Sequence, residues 1–229
     1  MLSAIAIIPS APVLVPELAG AAAGEVADLT AAVLEAAALL PSHWIAIGTG
    51  TADAELGPDS TGTFAGYGVD VRVGLSADAA NGRPDELPLC ALIAGWVRGQ
   101  ARPDASAQVR VYACGHDAET ALALGRRLRA EIDRRPDPVG VLVVADGANT
   151  LTPSAPGGHV PANADAQRGL DDALADGDAA ALAALREPIL GRVAFQVLAG
   201  LTGPGPRSAK ELYRGAPYGV GYFAGAWQL

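Results

Sequence analysis

Four polar residues each follow a short apolar run that is typical of a buried β-strand. They are Ser10, Thr49, His116 and Asn149. Hydroxyl and amide groups can hydrogen-bond a small molecule, and an imidazole can also move a proton near neutral pH or bind a metal ion. If the four strands are parallel, their carboxyl ends share one edge of a sheet, which is where open α/β sheets bind ligands. We therefore expect these side chains to converge on one pocket.

The segment from Val141 to Pro161 is the strongest indication of such a pocket. Its first four residues form a continuous apolar run, the pattern of a strand that is buried on both faces. The strand stops at Asp146, and an irregular stretch rich in Asn, Thr, Ser, Pro and Gly follows. Long loops within compact domains are usually functional. Asp146, Asn149 and His159 are therefore candidate pocket residues.

The same region could instead hold a metal ion. His116, Asp117, Asp146 and His159 supply imidazole and carboxylate ligands, which suit a divalent metal used in hydrolysis or oxygen chemistry. The alternative for His116 and Asp117 is structural, since Asp117 is a plausible N-cap of a following helix. His159 lies in a Gly-Gly-His turn and is the histidine most expected near a pocket. His43 begins its predicted strand, which places it at the opposite edge of the sheet.

The hydroxyl and amide candidates also have structural interpretations. Ser10 stands in a proline-rich turn, and Thr49 lies between two glycines that permit a tight turn. Asn149 could form an Asx-turn that stabilises its loop, which is compatible with a role in orienting a substrate.

The elements that would position these residues alternate along the chain. Short apolar runs or period-two alternation predict strands, and longer runs with a 3.6-residue period predict helices. Predicted strands cover 5–8, 43–47, 69–73 (half-exposed, near a sheet edge), 109–113, 139–145 and 218–227. Predicted helices cover 21–40, 87–100, 118–134, 164–174, 179–185 and 189–201, with a loop at 51–67. The alternation predicts one three-layer α/β/α domain over residues 1–229, around a mixed, mostly parallel sheet.

Composition narrows the classes of function. The chain has 229 residues, of which 50% are hydrophobic and 18% charged, so a substantial core can form. The formal net charge is −9 and no basic run occurs, which argues against nucleic acid or membrane surfaces as partners. The apolar N-terminus is broken by prolines and has no basic leader, which predicts neither a signal peptide nor a membrane span and favours the cytoplasm. Cys90 and Cys114 are expected to be small core residues, not a disulfide.

Three segments, in this order, resemble the motifs of one family. The first motif, IPSAPVLVPE at 8–17, is similar to PHPPILVPE. The second, DGANTLT at 146–152 with APGGH at 155–159, is similar to GDLSHRLT…PYGY. The third, GAPYGVGY at 215–222, is similar to EGPFGVGY. Over nearly its whole length the sequence resembles the class III extradiol ring-cleavage dioxygenases of the LigB-like type, especially the short, uncharacterised bacterial members.

The resemblance implies an iron site whose ligands this sequence has replaced. Dioxygenases of the family hold Fe(II) with two histidines and a glutamate, leaving positions open for catecholate and O₂, and a third histidine acts as acid and base. Ser10 and Thr49 occupy the positions of the two histidine ligands, and Asn149 that of the acid–base histidine. The glutamate falls at Glu187 or Pro188, of which only Glu187 could serve. Hydroxyls are weak ligands for Fe(II), so we expect no iron cofactor and no classical extradiol cleavage.

Three hypotheses of function follow. The preferred one is a pseudoenzyme, a degenerate family member without iron that binds a small molecule or acts as a scaffold, with Ser10, Thr49 and Asn149 lining its pocket. The alternative is a metal-dependent enzyme, a dioxygenase or hydrolase, with a relocated site that uses His116 and His159. The third is a protein that acts through its surface, as the partner subunit of another chain or as a homo-oligomer.

Overall fold

The computed structural model describes the backbone of residues 1–229 and the side chains of residues 1–79 and 82–229. The strands are Leu2–Ile8 (β1), His43–Gly50 (β2), Ala54–Leu56 (β3), Thr61–Thr63 (β4), Arg72–Gly74 (β5), Ser106–Ala113 (β6), Val139–Val144 (β7), Ser208–Gly215 (β8) and Tyr222–Gln228 (β9). The α-helices are Pro16–Ala19 (α1), Ala27–Ala38 (α2), Leu89–Ala101 (α3), Ala118–Asp133 (α4), Asn163–Asp176 (α5), Ala179–Ala183 (α6) and Arg192–Thr202 (α7).

Strands from both ends of the chain share one central sheet, in the order β3-β6-β2-β7-β1-β9-β8. The central strands β6, β2, β7 and β1 are parallel to one another. Strands β3 and β9 run antiparallel to their inner neighbours, and β8 runs antiparallel to β9. Strands β4 and β5 pair separately. The predicted α/β fold around a mixed, mostly parallel sheet is confirmed.

Side-chain alternation gives the sheet two apolar faces, one for each helical layer. In β1, Ala6 and Ile8 pack with residues of α2 and α3. Ile5 and Ile7 pack on the other face, with residues of α4 to α7. All of β7 is buried between the two layers. The predicted three-layer arrangement is therefore confirmed.

Glycines allow α4 and α7 to approach backbone to backbone. A Cβ on Gly125 would collide with the carbonyl oxygen of Val197, and a Cβ on Gly200 would collide with that of Leu122. This close contact fixes α7, whose first turn lies beside the end of the central strand.

Two helices begin several residues later than predicted. Residues Gly20–Gly24 form a 3₁₀ turn, so α2 starts at Ala27 and not at Ala21. Gly20 has a φ of +54°, which is outside the helical region, so the alanine-rich pattern overstates this helix. Helix α7 starts at Arg192, after a turn that the prediction included in the helix.

Within the described residues, no helix has both the length and the apolar sequence needed to cross a bilayer.

The strand predictions were wrong in three places. The predicted loop 51–67 contains β3 and β4, and β3 pairs with β6. The strand predicted at 69–73 is reduced to β5, which pairs with β4 and not with an edge of the main sheet. The last strand starts at Tyr222, and β8, which the pattern does not predict, forms the sheet edge beside it. Short and edge strands depend on their pairing partners, which a local pattern does not contain.

The two cysteines occupy different environments. Cys90 is buried in the first turn of α3, against Gly48 of β2. Cys114 is exposed because β6 ends at Ala113, one residue before it. The prediction that both cysteines lie in the core is correct for Cys90 and wrong for Cys114. Both thiols are free.

Candidate functional site

The candidate site lies at the carboxyl edge, which is the edge of the sheet where β1, β2, β6 and β7 end. Ser10 follows β1 and Asp146 follows β7, and these strands are adjacent and parallel. The backbone N–H of Ser10 donates a hydrogen bond of 2.8 Å to Oδ1 of Asp146. The structure thus brings together two of the predicted pocket residues.

The backbone at Asp146 is held by the segment that leads into α7. The N–H of Gly191 donates to the carbonyl of Asp146 at 2.8 Å, and the N–H of Leu190 donates to that of Gly147 at 3.2 Å. A Cβ on Gly191 would lie 2.5 Å from the Cβ of Ala145, so only glycine fits there without a shift. The end of the central strand is therefore fixed by contacts within the protein.

The turn before β9 pairs with the turn after β7. The N–H of Gly147 donates to the carbonyl of Gly221 at 2.8 Å, and the N–H of Gly221 donates to that of Ala148 at 2.8 Å. Because Tyr222 follows Gly221 directly, this pairing places Tyr222 near Asp146.

Gln167 of α5 stabilises this pairing. Its Oε1 accepts a hydrogen bond from the N–H of Ala148 at 2.8 Å, and its Nε2 donates to Oδ1 of Asp171 at 2.8 Å. A Cβ on either Gly147 or Gly221 would collide with the Gln167 amide. The glycines of the second and third motifs therefore make room for one buried side chain.

Asp146 and Tyr222 retain unused hydrogen-bonding capacity. Within the described residues, Oδ1 of Asp146 has a partner, whereas Oδ2 and the Tyr222 hydroxyl have none. No fully buried side-chain N or O atom in that part of the chain lacks a partner, so both oxygens reach solvent-accessible space. The Tyr222 side chain is otherwise buried, with 6% exposure. Both groups can therefore meet a ligand.

The environment changes the acid–base behaviour of this pair. Burial raises the pKa of the Asp146 carboxyl from 3.8 to about 7, and the hydrogen bond from Ser10 opposes this rise. Burial, together with the nearby Asp146 charge, raises the pKa of Tyr222 above its usual value. At neutral pH the carboxyl therefore exists in both protonation states, while the phenol remains a donor.

A second tyrosine of the third motif links the edge to the N-terminal segment. The Tyr218 hydroxyl donates to Oε2 of Glu25 at 3.1 Å. The charges of Tyr218 and Tyr213 contribute to the raised pKa of Tyr222, after burial and Asp146. The carboxyl edge on this face is therefore rich in phenol groups.

Thr49 and Tyr222 lie on opposite faces of the sheet. Strand β2 continues to Gly50, and Gly48 faces Cys90 in the layer of α2 and α3. Alternation then places Thr49 on the face that is covered by α4 to α7. Tyr222 belongs to the core cluster of the α2–α3 face. The structure therefore does not bring Thr49 together with Tyr222.

His116 pairs with a carboxylate that the sequence did not indicate. Its Nε2 lies 2.8 Å from Oδ1 of Asp53, which also accepts from the N–H of Ala113 at 2.7 Å. These hydrogen bonds, that from Ala113 above all, lower the pKa of Asp53. Asp117 accepts from the N–H of Thr120 at 2.8 Å, which confirms the predicted N-cap of α4.

Glu187 and His116 line one cleft of about 590 Å³. Arg192 crosses the cleft, donating to the carbonyl of His116 at 3.1 Å and to Oε1 of Gln196 at 3.0 Å. Gln196 is fully buried and donates to the carbonyl of Leu185 at 2.9 Å. Glu187 is exposed in this cleft.

The loop after β7 is folded by its own hydrogen bonds. The N–H of Gly157 donates to the carbonyl of Asn149 at 2.9 Å, and that of Val160 donates to the carbonyl of Thr150 at 3.0 Å. The Asn149 side chain is partly buried against Gly157, whereas His159 is exposed. The backbone bond, and not an Asx-turn, holds Asn149 in place.

Among the residues whose side chains are described, no three His, Cys, Asp or Glu side chains form a group that could hold a metal ion. His116 contacts Asp53, Asp117 caps α4, and His159 is exposed. The Asp146 carboxylate instead accepts a hydrogen bond from the backbone N–H of Ser10. The proposed ligands of a relocated metal site are therefore not gathered.

Sequence reasoning missed Tyr222 and Gln167 as members of the site. The glycine-rich pattern assigns Tyr222 to a strand and does not reveal that its hydroxyl lacks a partner. Gln167 lies one helical turn before Leu170 on the buried side of α5, so a polar residue within an apolar stripe was the available signal.

The sequence matches no known protein family. It also matches no curated protein. A solved structure, described as the crystal structure of uncharacterized protein JW3007 from Escherichia coli K12, is similar in fold, with a TM-score of 0.57. The similarity covers 98% of this chain and 99% of that chain, at 9% sequence identity. It shows a shared fold.

Proposed function

We propose that this chain is a small-molecule-binding protein of the class III extradiol dioxygenase (LigB-like) type, with its ligand site at Asp146 and without an iron centre. One observation carries the proposal: Oδ2 of Asp146 and the hydroxyl of Tyr222 have no partner among the described residues, yet they lie at the carboxyl edge. Open α/β sheets bind their ligands at that edge.

The three motifs on which the family resemblance depends are in contact with one another. Ser10 of the first motif donates to Asp146 of the second. Gly147 of the second motif and Gly221 of the third are hydrogen-bonded. The three segments, which are distant in sequence, therefore meet at one place in the fold.

The side chains at the family's ligand positions do not fit Fe(II). Ser10 and Thr49 offer neutral hydroxyls where imidazoles would be needed, and Asn149 offers an amide that does not titrate near pH 7. Thr49 also lies on the opposite face of the sheet from Tyr222. The proposal therefore contains no iron-dependent step.

The site favours a ligand that both donates and accepts hydrogen bonds. Asp146 can accept when ionised and donate when protonated, and its pKa of about 7 makes both forms available. The Tyr222 hydroxyl remains protonated. Uncharged molecules with hydroxyl or amide groups meet these requirements.

Ligand-observed NMR with a set of small alcohols, phenols and amides tests the proposal. We expect some of these compounds to bind the wild type and to lose binding in Asp146→Asn and Tyr222→Phe. Tyr67→Phe is the matched control, because it removes the same hydroxyl from an exposed tyrosine that lies in another part of the fold. Binding that persists in both site variants, or no binding by any compound, would overturn the proposal.

A further inference from the structure

The Asp146 carboxyl group is fixed through one of its two oxygens. Its Oδ1 accepts from the N–H of Ser10 at 2.8 Å, and its backbone carbonyl accepts from the N–H of Gly191 at 2.8 Å. Its Oδ2 has no partner among the described residues and reaches solvent-accessible space. When ionised, a carboxylate held in this way offers its second oxygen to a ligand as an acceptor or as a base.

The Tyr222 hydroxyl is a donor that is positioned by the burial of its ring. The side chain is 6% exposed, and the N–H of the preceding Gly221 donates to the carbonyl of Ala148 at 2.8 Å. Burial above all, and then the charge of Asp146, raises the pKa of Tyr222, so the phenol stays protonated. Within the described part of the chain, no hydrogen bond joins Tyr222 to Asp146. The two groups are therefore close, yet each is free to contact a different atom of one ligand.

A base beside a fixed phenol matches the two reacting groups of a ketone that enolises. The ketone oxygen accepts a hydrogen bond from the phenol, and a hydrogen on the adjacent carbon faces the carboxylate. Proton abstraction next to a carbonyl needs these two parts, a base and a donor that stabilises the oxyanion as it develops. A ketone thus uses Tyr222 as its donor and offers Asp146 an acidic C–H in place of a hydroxyl or amide hydrogen.

We propose that this site catalyses proton transfer at the carbon next to the carbonyl of a small, uncharged ketone, with Oδ2 of Asp146 as the base and the Tyr222 hydroxyl as the donor to the ketone oxygen. The inference rests on the proposed function, because it uses the same ligand site.

The proposed step is balanced without a second reactant. The C–H bond breaks and its proton goes to Oδ2 of Asp146. The electron pair of that bond forms the C=C bond of an enolate, and the π pair of the carbonyl moves to the oxygen that accepts from Tyr222. In the reverse step the protonated carboxyl returns a proton to the same carbon or, in an unsaturated ketone, to a more distant one.

Charge and basicity are consistent with this step. The negative charge moves from Asp146 to the ketone oxygen, so the total charge of the site is the same before and after. Burial raises the pKa of Asp146 from 3.8 to about 7. The carboxylate is therefore a stronger base than an ordinary aspartate and is still partly ionised near neutral pH.

Exchange of the α-hydrogens of cyclohexanone and acetophenone in D₂O near neutral pH, followed by NMR, tests the proposal. We expect the wild type to accelerate exchange in at least one ketone above the rate in buffer. Asp146→Asn should lower the catalysed rate by at least about 100-fold, because the amide can still accept from Ser10 but is not a base. Tyr222→Phe should lower it by about 100-fold, because it removes the donor to the oxyanion.

Two exposed residues provide matched controls. Asp59→Asn and Tyr67→Phe remove the same groups from exposed positions outside this site and should leave the exchange rate unchanged. If Asp146→Asn does not fold, as judged by circular dichroism, the comparison of Tyr222→Phe with Tyr67→Phe decides. Exchange of both ketones at the buffer rate, or undiminished exchange in the folded site variants, would overturn the proposal.

Ligand-observed NMR on the same samples separates this inference from the proposed function. Binding of an alcohol, phenol or amide at Asp146, without accelerated exchange of either ketone, would overturn the proton transfer and leave the proposed function standing. No binding by any of these compounds would overturn both.

Discussion

The backbone N–H of Ser10 donates to Oδ1 of Asp146 across 136 positions of the chain. This bond joins the turns that follow β1 and β7, and it fixes the carboxyl group with Oδ2 left unpartnered among the described residues. Beside it, the Tyr222 hydroxyl is the polar tip of a buried ring. The proposed ligand site depends on this arrangement.

Asp146→Asn should change how stability depends on pH. The folded pKa of about 7 exceeds the unfolded value of 3.8, so this proton is bound more tightly in the folded state. The resulting stabilisation is complete below the unfolded pKa and is lost as the pH rises through the folded one. Over that window the free energy of unfolding of the wild type should fall, relative to the variant, by about 1 kcal/mol per pH unit. Urea unfolding at several pH values measures this difference.

Asp171→Asn is the matched control for that experiment. Burial raises the pKa of Asp171 to about 6, against the lowering effects of Gln167 and Arg214. Its effect should therefore be nearly complete by pH 6, whereas that of Asp146→Asn continues to pH 7. Parallel stability curves for the wild type and Asp146→Asn would show that Asp146 does not have a raised pKa.

Gly221→Ala should destabilise the protein through Gln167. The new Cβ would collide with the Gln167 amide, so we expect a loss of about 2–3 kcal/mol in the free energy of unfolding. In Gly221→Ala/Gln167→Ala the collision is absent, and the combined loss should be smaller than the sum of the single losses by about 1–2 kcal/mol. Chemical denaturation of the four proteins of this cycle measures the coupling.

Gly169→Ala is the control for the glycine substitution. Gly169 lies in α5, and a Cβ added to it would have no neighbouring atom within 4 Å. Alanine there should raise stability by about 0.5–1 kcal/mol, because it favours the helix. Strictly additive losses in the Gly221 and Gln167 cycle would contradict the contact.

The folded protein should present one reactive cysteine. Cys114 is exposed, whereas Cys90 is buried and burial raises the pKa of its thiol to about 11. Because the thiolate is the reacting form, a thiol reagent should label Cys114 rapidly and Cys90 only after unfolding. Cys114→Ser should abolish the rapid phase, as mass spectrometry would show. Rapid labelling of both thiols in the folded protein would contradict the burial of Cys90.

The sequence predicts the central elements of this fold well. The continuous apolar run of β7 and the 3.6-residue periods of α3 and α4 are local signals, and the structure has these elements within a few residues of their predicted bounds. The sequence pattern does not predict β3, β4 or β8. These strands are short or lie at the edge of a sheet, and they depend on partners elsewhere in the chain.

The candidate site is predictable only in part. Ser10 and Asp146 each follow a predicted strand. Because these two strands are adjacent and parallel, the structure places the two residues together. Strand β2 continues past Ile47 to Gly50, and its alternation places Thr49 on the opposite face of the sheet from Tyr222. The sequence does not show where this strand ends. The pairing of His116 with Asp53 depends on β3, which the sequence pattern does not predict.

The proposed absence of an iron centre is tested most directly by the metal content of the protein after anaerobic purification and addition of Fe(II), combined with O₂ uptake on catechols. Because Ser10, Thr49 and Asn149 cannot replace imidazoles, we predict far less than one equivalent of iron and no O₂ uptake. Close to one equivalent of bound iron would contradict the proposal that the protein lacks an iron centre. His116→Ala and His159→Ala would then show whether a relocated site holds the metal.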